Sequence, residues 1–97
     1  ALEESEDCLV FGSGSAAVAA AVLSCIGSGD HIICVQKPYS WTNKLLNIWL
    51  KRFDISVTMV DGTDASNFEK AIQSNTKVLF LESPNSFTFE IQDIEAI

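Results

Sequence analysis

Short apolar runs, each stopped by glycine, proline or an acid, alternate along the chain with stretches whose apolar residues recur at helical spacing. The run at 8–11 is strand-like and is stopped by Gly12-Ser13-Gly14-Ser15. Residues 16–26 then have almost no polar face, and alanine, the best helix former, predicts a helix able to lie close against a sheet. Gly27-Ser28-Gly29-Asp30 ends it in a glycine-rich turn. Residues 31–35, His-Ile-Ile-Cys-Val, read as a buried strand that Pro38 closes. Ser40 or Thr42 caps a helix running to about Phe53, with Leu45, Leu46, Ile48, Trp49 and Phe53 as its apolar set and Lys44, Asn47 and Lys51 facing outward. A second strand spans 56–60 and ends at Asp61. Thr63 or Asp64 then caps a short helix through Phe68, Ala71 and Ile72, and a third strand spans 78–81. Phe87, Phe89 and Ile91 alternate before Asp93 opens a helix that the chain cuts short, and the acidic stretch 1–7 reads as a helix end or a solvated turn.

Strands joined by helical crossovers pair in parallel, so the pattern predicts an α/β fold: three layers, a mostly parallel sheet, helices on both faces. No repeat, linker or low-complexity segment divides the chain. It reads as one unit cut at both ends, a fragment of a larger domain spanning 1–97.

Composition narrows the function. Apolar residues make up 47% and charged residues 20%, ordinary for a globular protein. With 13 acids against 6 bases the net charge is −7, which repels nucleic-acid backbones and anionic membranes. The apolar run 16–23 is too short to span a bilayer, and no basic region precedes it. Cys8, Cys25 and Cys34 include no Cys-x-x-Cys pair, so neither a zinc site nor a disulfide framework is expected. They read as buried or half-buried thiols in the cytoplasm. His31, with no second ligand beside it, reads as a strand-start residue, and Trp41 and Trp49 as packing residues.

A single phosphate group is compatible with the net charge, because backbone amides bind one locally. In Gly12-Ser13-Gly14-Ser15-Ala16-Ala17 the glycines permit a sharp turn, the first helical amides point at whatever sits there, and the Ser13 and Ser15 hydroxyls add donors. The same residues satisfy the dinucleotide fingerprint Gly-x-Gly-x-x-Ala. That fingerprint needs an acid near the end of the next strand, where this chain reads Val35-Gln36-Lys37-Pro38; Asp30 lies at the wrong end. Tyr39 and Glu82 both follow the carboxyl ends of strands, the edge on which ligands gather in open parallel sheets.

Taken together, Ser13-Gly14-Ser15-Ala16-Ala17, Gly29-Asp30-His31-Ile32, Tyr39, Thr76-Lys77 and Glu82-Ser83-Pro84 resemble the transsulfuration family of fold-type-I pyridoxal-phosphate enzymes. The resemblance runs over essentially the whole chain and implies the large domain of the aspartate-aminotransferase-like fold. It implies that Gly14 and Ser15 bind the phosphate of pyridoxal 5'-phosphate through their amides, with Ser13 beside them, and that Tyr39 stacks on the pyridine ring. It also implies that Glu82-Ser83-Pro84 lies near the ring edge. Many members continue with x-Asn-Pro, whose asparagine approaches the ring hydroxyl; here Ser86 stands at that position. The Ser-x-Thr continuation looks more like bacterial cystathionine β-lyases.

For the parent protein the resemblance implies a carbon–sulfur lyase of methionine and transsulfuration metabolism. It would act on a small amino acid such as cystathionine, as a homo-oligomer, a dimer of dimers. Cystathionine γ-synthase, γ-lyase and sulfhydrylase chemistry are the alternatives on this scaffold, and a non-catalytic or dinucleotide-binding domain is the alternative from another class. The family's Schiff-base lysine and its aspartate at the pyridinium nitrogen match no position here. Lys37, Lys44, Lys51, Lys70 and Lys77 read as solvated, so the segment alone is expected to be inactive.

Overall fold

In the computed structural model, residues 3–97 are described; Ala1 and Leu2, the start of the acidic stretch, lie outside the described residues. Three strands, β1 (His31–Val35), β2 (Ser56–Val60) and β3 (Thr76–Phe80), form a parallel sheet in the order β2-β1-β3. Helix α1 (Gly14–Leu23) precedes β1. A continuous helical segment joins β1 to β2: α2 (Ser40–Lys44), a wide π-turn over Leu45–Trp49 and a 3-10 turn over Leu50–Phe53. Helix α3 (Ser66–Ala71) joins β2 to β3.

The topology explains why both faces are covered. Right-handed crossovers that move in opposite directions along a sheet lie on opposite faces. The step from β1 to β2 goes one way and the step from β2 back across β1 to β3 goes the other. Alternation along β1 then feeds two cores. Ile32 and Cys34 pack with Val22, Leu46, Leu50 and Ile55 on the side of α1 and α2. Ile33 packs with Val60 and Phe68 on the side of α3. All five residues of β1 are buried, as a central strand between two helical layers requires. The expected three-layer α/β architecture is the one observed.

His31 opens β1 as a wholly buried side chain, with Nδ1 2.7 Å from Thr76 Oγ1 and Nε2 2.8 Å from Thr58 Oγ1. Burial lowers its pKa, so the neutral ring cross-links β1 to both neighbouring strands. Gly29, at φ 87°, makes the turn that leads into the strand. Gly62 is glycine for a different reason: a Cβ there would stand 2.6 Å from Val35 Cγ2 and 2.7 Å from Gln92 Cγ.

Local expectations are corrected at two places, residues 8–11 and the second helical segment. Residues 8–11 form no strand; Leu9 and Val10 are 80% and 92% exposed, because no neighbouring strand among the described residues offers them a ladder. Of the two readings of the acidic stretch, residues 3–7 follow the solvated turn, an exposed turn and bend without a helix. In the second helical segment the buried residues are Thr42, Leu46 and Leu50, while Ile48, Trp49 and Phe53 are exposed. The wide turn holds one stripe of i, i+4 residues against the sheet and swings the rest of the apolar set outward. Trp41 and Trp49 are accordingly not core residues; Lys44 and Arg52 lie over their rings at 4.4 and 5.0 Å. At the end of the chain Asp93 opens a single turn, as expected of a helix cut short, its carbonyl and carboxylate accepting the amides of Ile97 and Ala96.

The thiols also divide differently from expectation. Cys34 is buried in β1, whereas Cys8 lies in the irregular segment and Cys25 just past the end of α1, both exposed. Burial, with Glu82 nearby, pushes the Cys34 thiol up to about 12. Titrating the folded chain with a disulfide thiol reagent should therefore modify Cys8 and Cys25 at once and Cys34 only after denaturant is added. Rapid reaction of all three would contradict the packing of β1.

Candidate functional site

The carboxyl edge of the sheet gathers three segments. The first is the head of α1. Ser13, extended at φ −157°, is its N-cap: its hydroxyl oxygen accepts the Ala16 amide at 3.1 Å and its carbonyl the Ala17 amide at 3.0 Å. Gly14 and Ser15 are the first helical residues, and no earlier carbonyl of the helix exists for their N–H groups. They point out of the helix at its positive end. A Cβ added to Gly14 would meet nothing within 4 Å, so the chain's own packing does not demand glycine there.

The second segment follows β1. Gln36 continues the ladder by donating to the Val60 carbonyl at 2.7 Å, and Pro38 turns the chain so that Tyr39 becomes the N-cap residue of α2. Tyr39 is 47% exposed and carries no side-chain cap bond. The starts of α1 and α2 are neighbours: Ser15, Val18, Trp41, Thr42 and Leu45 line a cleft of about 230 Å³ between the two helices.

The third segment follows β3 and is folded around Asn85, which is buried. Its side-chain oxygen accepts the amides of Phe87 and Thr88 at 3.0 and 3.2 Å, an Asx turn, and its Nδ2 donates to the Gln36 carbonyl at 3.0 Å. Glu82 is the second tie between these loops. Oε1 accepts the Tyr39 amide and Oε2 the Ser86 amide, each at 3.0 Å.

Of the expected site residues, Glu82, Tyr39 and Ser86 are thus joined directly, and Gly14 and Ser15 present their amides beside the start of α2. Ser13 has its oxygen committed to the cap. Asp30 sits at the amino end of β1, its carboxylate accepting the Gly27 amide at 2.8 Å, far from the edge where a ribose would lie. Asn85 is the participant the sequence reading passed over. Its signal was an asparagine directly after proline, a turn former in a segment otherwise read for its serine. The five lysines are all exposed. Among the described residues no helix is long and apolar enough to cross a membrane.

Comparison with known proteins gives this edge its context. The family model for Cys/Met metabolism PLP-dependent enzymes matches residues 1–97. The chain belongs to that family. Curated relatives include the L-methionine gamma-lyase of Treponema denticola, 38% identical over 96 residues, which are 99% of this chain and 24% of the relative. The cystathionine beta-lyase of Haemophilus influenzae is 40% identical over 96 residues, with the same two coverages. A crystal structure of cystathionine gamma-lyase from Lactobacillus plantarum, complexed with L-serine, superposes with a TM-score of 0.82 at 41% identity, covering 89% of this chain and 22% of that one. The chain thus spans about a quarter of the length of the curated relatives it matches. Pyridoxal phosphate is the cofactor of the family, and the sheet described above is part of its fold.

The family's cofactor carries a phosphate and a flat, electron-poor ring, and the residues present fit both. Two outward amides at the head of a helix, with open space over Gly14, suit the phosphate. An exposed aromatic ring on the adjoining loop suits the heterocycle.

Proposed function

We propose that the chain is part of the cofactor-binding domain of a carbon–sulfur lyase that releases homocysteine, pyruvate and ammonia from cystathionine. The observation that carries the reading is the head of α1, where the Gly14 and Ser15 amides face outward beneath an unfilled space beside α2. In this reading those amides anchor the phosphate, the helix dipole adds to the attraction, and Ser13 stiffens the turn by capping it. Tyr39 covers one face of the ring and excludes water from it, and Ser86 faces the ring edge. When bound, pyridoxal phosphate supplies the electron sink that lets the substrate's α-proton depart. The residue that moves that proton is a lysine elsewhere in the full-length protein, and the 97-residue chain alone is inactive.

β-Elimination is favoured over the γ-reactions by Ser86 and the Ser-x-Thr continuation, which stand where many members of the family carry asparagine and proline and look more like bacterial cystathionine β-lyases. Relatives of both kinds match at similar identity, so product analysis is the test. Full-length protein with pyridoxal phosphate and L-cystathionine should consume one water and yield pyruvate, ammonia and homocysteine. The 97-residue chain under the same conditions should yield nothing. Release of 2-oxobutyrate and cysteine would replace the β-lyase reading with a γ-lyase one. The same reading makes the full-length protein a cytoplasmic homo-oligomer, a dimer of dimers.

A further inference from the structure

Glu82 does something at this edge other than meet a cofactor. Both its carboxylate oxygens are occupied by main-chain donors, the Tyr39 amide and the Ser86 amide, each at 3.0 Å. These donors lie on different loops, 43 positions from Glu82 in one case and 4 in the other. Glutamate is suited to this because a carboxylate offers acceptors on both oxygens, whereas the amide of glutamine offers one acceptor and turns a donor toward the second N–H. The bonds are charge-assisted and bear on the backbone of Tyr39 at the position where the chain enters α2. A separate tie, from Asn85 Nδ2 to the Gln36 carbonyl, holds the same loops together independently of Glu82.

We propose that Glu82 is a positioning residue, a carboxylate clamp that fixes the backbone of Tyr39 against that of Ser86 and so sets the pose of the ring-covering aromatic. The proposal rests on the reading of Tyr39 given above, but the clamp itself can be measured without cofactor.

The experiment uses full-length protein in three forms, wild type, E82Q and Y39A, together with the double variant. Amide hydrogen exchange on the wild-type apoprotein should show the Tyr39 and Ser86 amides at least about tenfold slower than exposed loop amides. Equal rates overturn the clamp, whether or not any variant folds. In E82Q protection at Tyr39 or Ser86 should fall while the fold persists through the Asn85 tie, and affinity for pyridoxal phosphate should weaken about tenfold, the effect of one charge-assisted hydrogen bond. The induced visible circular dichroism of the bound cofactor should shrink with it.

If Glu82 works through Tyr39, E82Q should weaken affinity little further in a Y39A background. Full additivity overturns the positioning role, as does unchanged affinity in E82Q where Y39A alone binds weakly. If instead Y39A binds the cofactor as tightly as wild type while E82Q still loses amide protection, the clamp stands and the stacking role of Tyr39 falls.

Discussion

Replacing Gly14 with valine is expected to weaken pyridoxal-phosphate binding by the full-length protein at least about a hundredfold, with no loss of thermal stability. The two halves of this expectation have separate origins. A side chain at position 14 meets no atom of the chain within 4 Å, and valine is a better helix residue than glycine, so folding has no reason to suffer. The side chain enters open space at the head of α1, where the outward Gly14 and Ser15 amides lie. Filling it separates a phosphate from two charge-assisted donors worth about 1.5–3 kcal/mol each. Cofactor titration followed by absorbance, beside a thermal melt of the apoprotein, reads both quantities. Undiminished affinity in G14V would show that the anion is held elsewhere, and a collapse in melting temperature would show that glycine serves the fold.

The second large effect concerns stability. Truncating Phe68 to alanine should cost about 3–5 kcal/mol in urea unfolding. Phe68 is 2% exposed and is the buried residue of α3, a helix of only six residues with no side-chain cap bond. A helix that short does not hold itself together, so its place on the sheet depends on the contact of Phe68 with Ile33 and Val60. Losing that contact uncovers one whole face of β1. A cost below about 1 kcal/mol would mean that α3 is anchored by its loops, through the Asp61 and Asp64 turns.

The three strands were legible because parallel strands buried on both faces appear as unbroken apolar runs, and their ends fell within two residues of the observed ones. The run at 8–11 was equally apolar and forms no strand, since an apolar run becomes a strand only where a neighbouring backbone accepts it. Helical periodicity located the segment 40–53 but missed its phase. The π-turn over Leu45–Trp49 buries Leu46 and Leu50 and exposes Trp49, a shift that a regular 3.6-residue period does not anticipate.

At the site, the outward amides of Gly14 and Ser15 were legible because they are local consequences of a helix start, whereas Ser13, read as a hydroxyl donor to a ligand, is the cap that accepts the Ala16 amide. The tie from Glu82 to Tyr39 was not legible. It links residues 43 positions apart and follows only from the pairing of β1 with β3. Asn85 was hidden for the same reason, its carbonyl partner Gln36 lying on the other strand's loop.

Glu82 grips position 39 by its main chain and leaves the side chain there uncommitted. Scaffold and reagent are therefore separable at this position. On the proposed role of Tyr39, exchanging the phenol for phenylalanine or tryptophan should retune the polarity over the cofactor ring while the loop keeps its course. An engineer seeking altered selectivity would then gain a site where substitution is felt through chemistry rather than through folding.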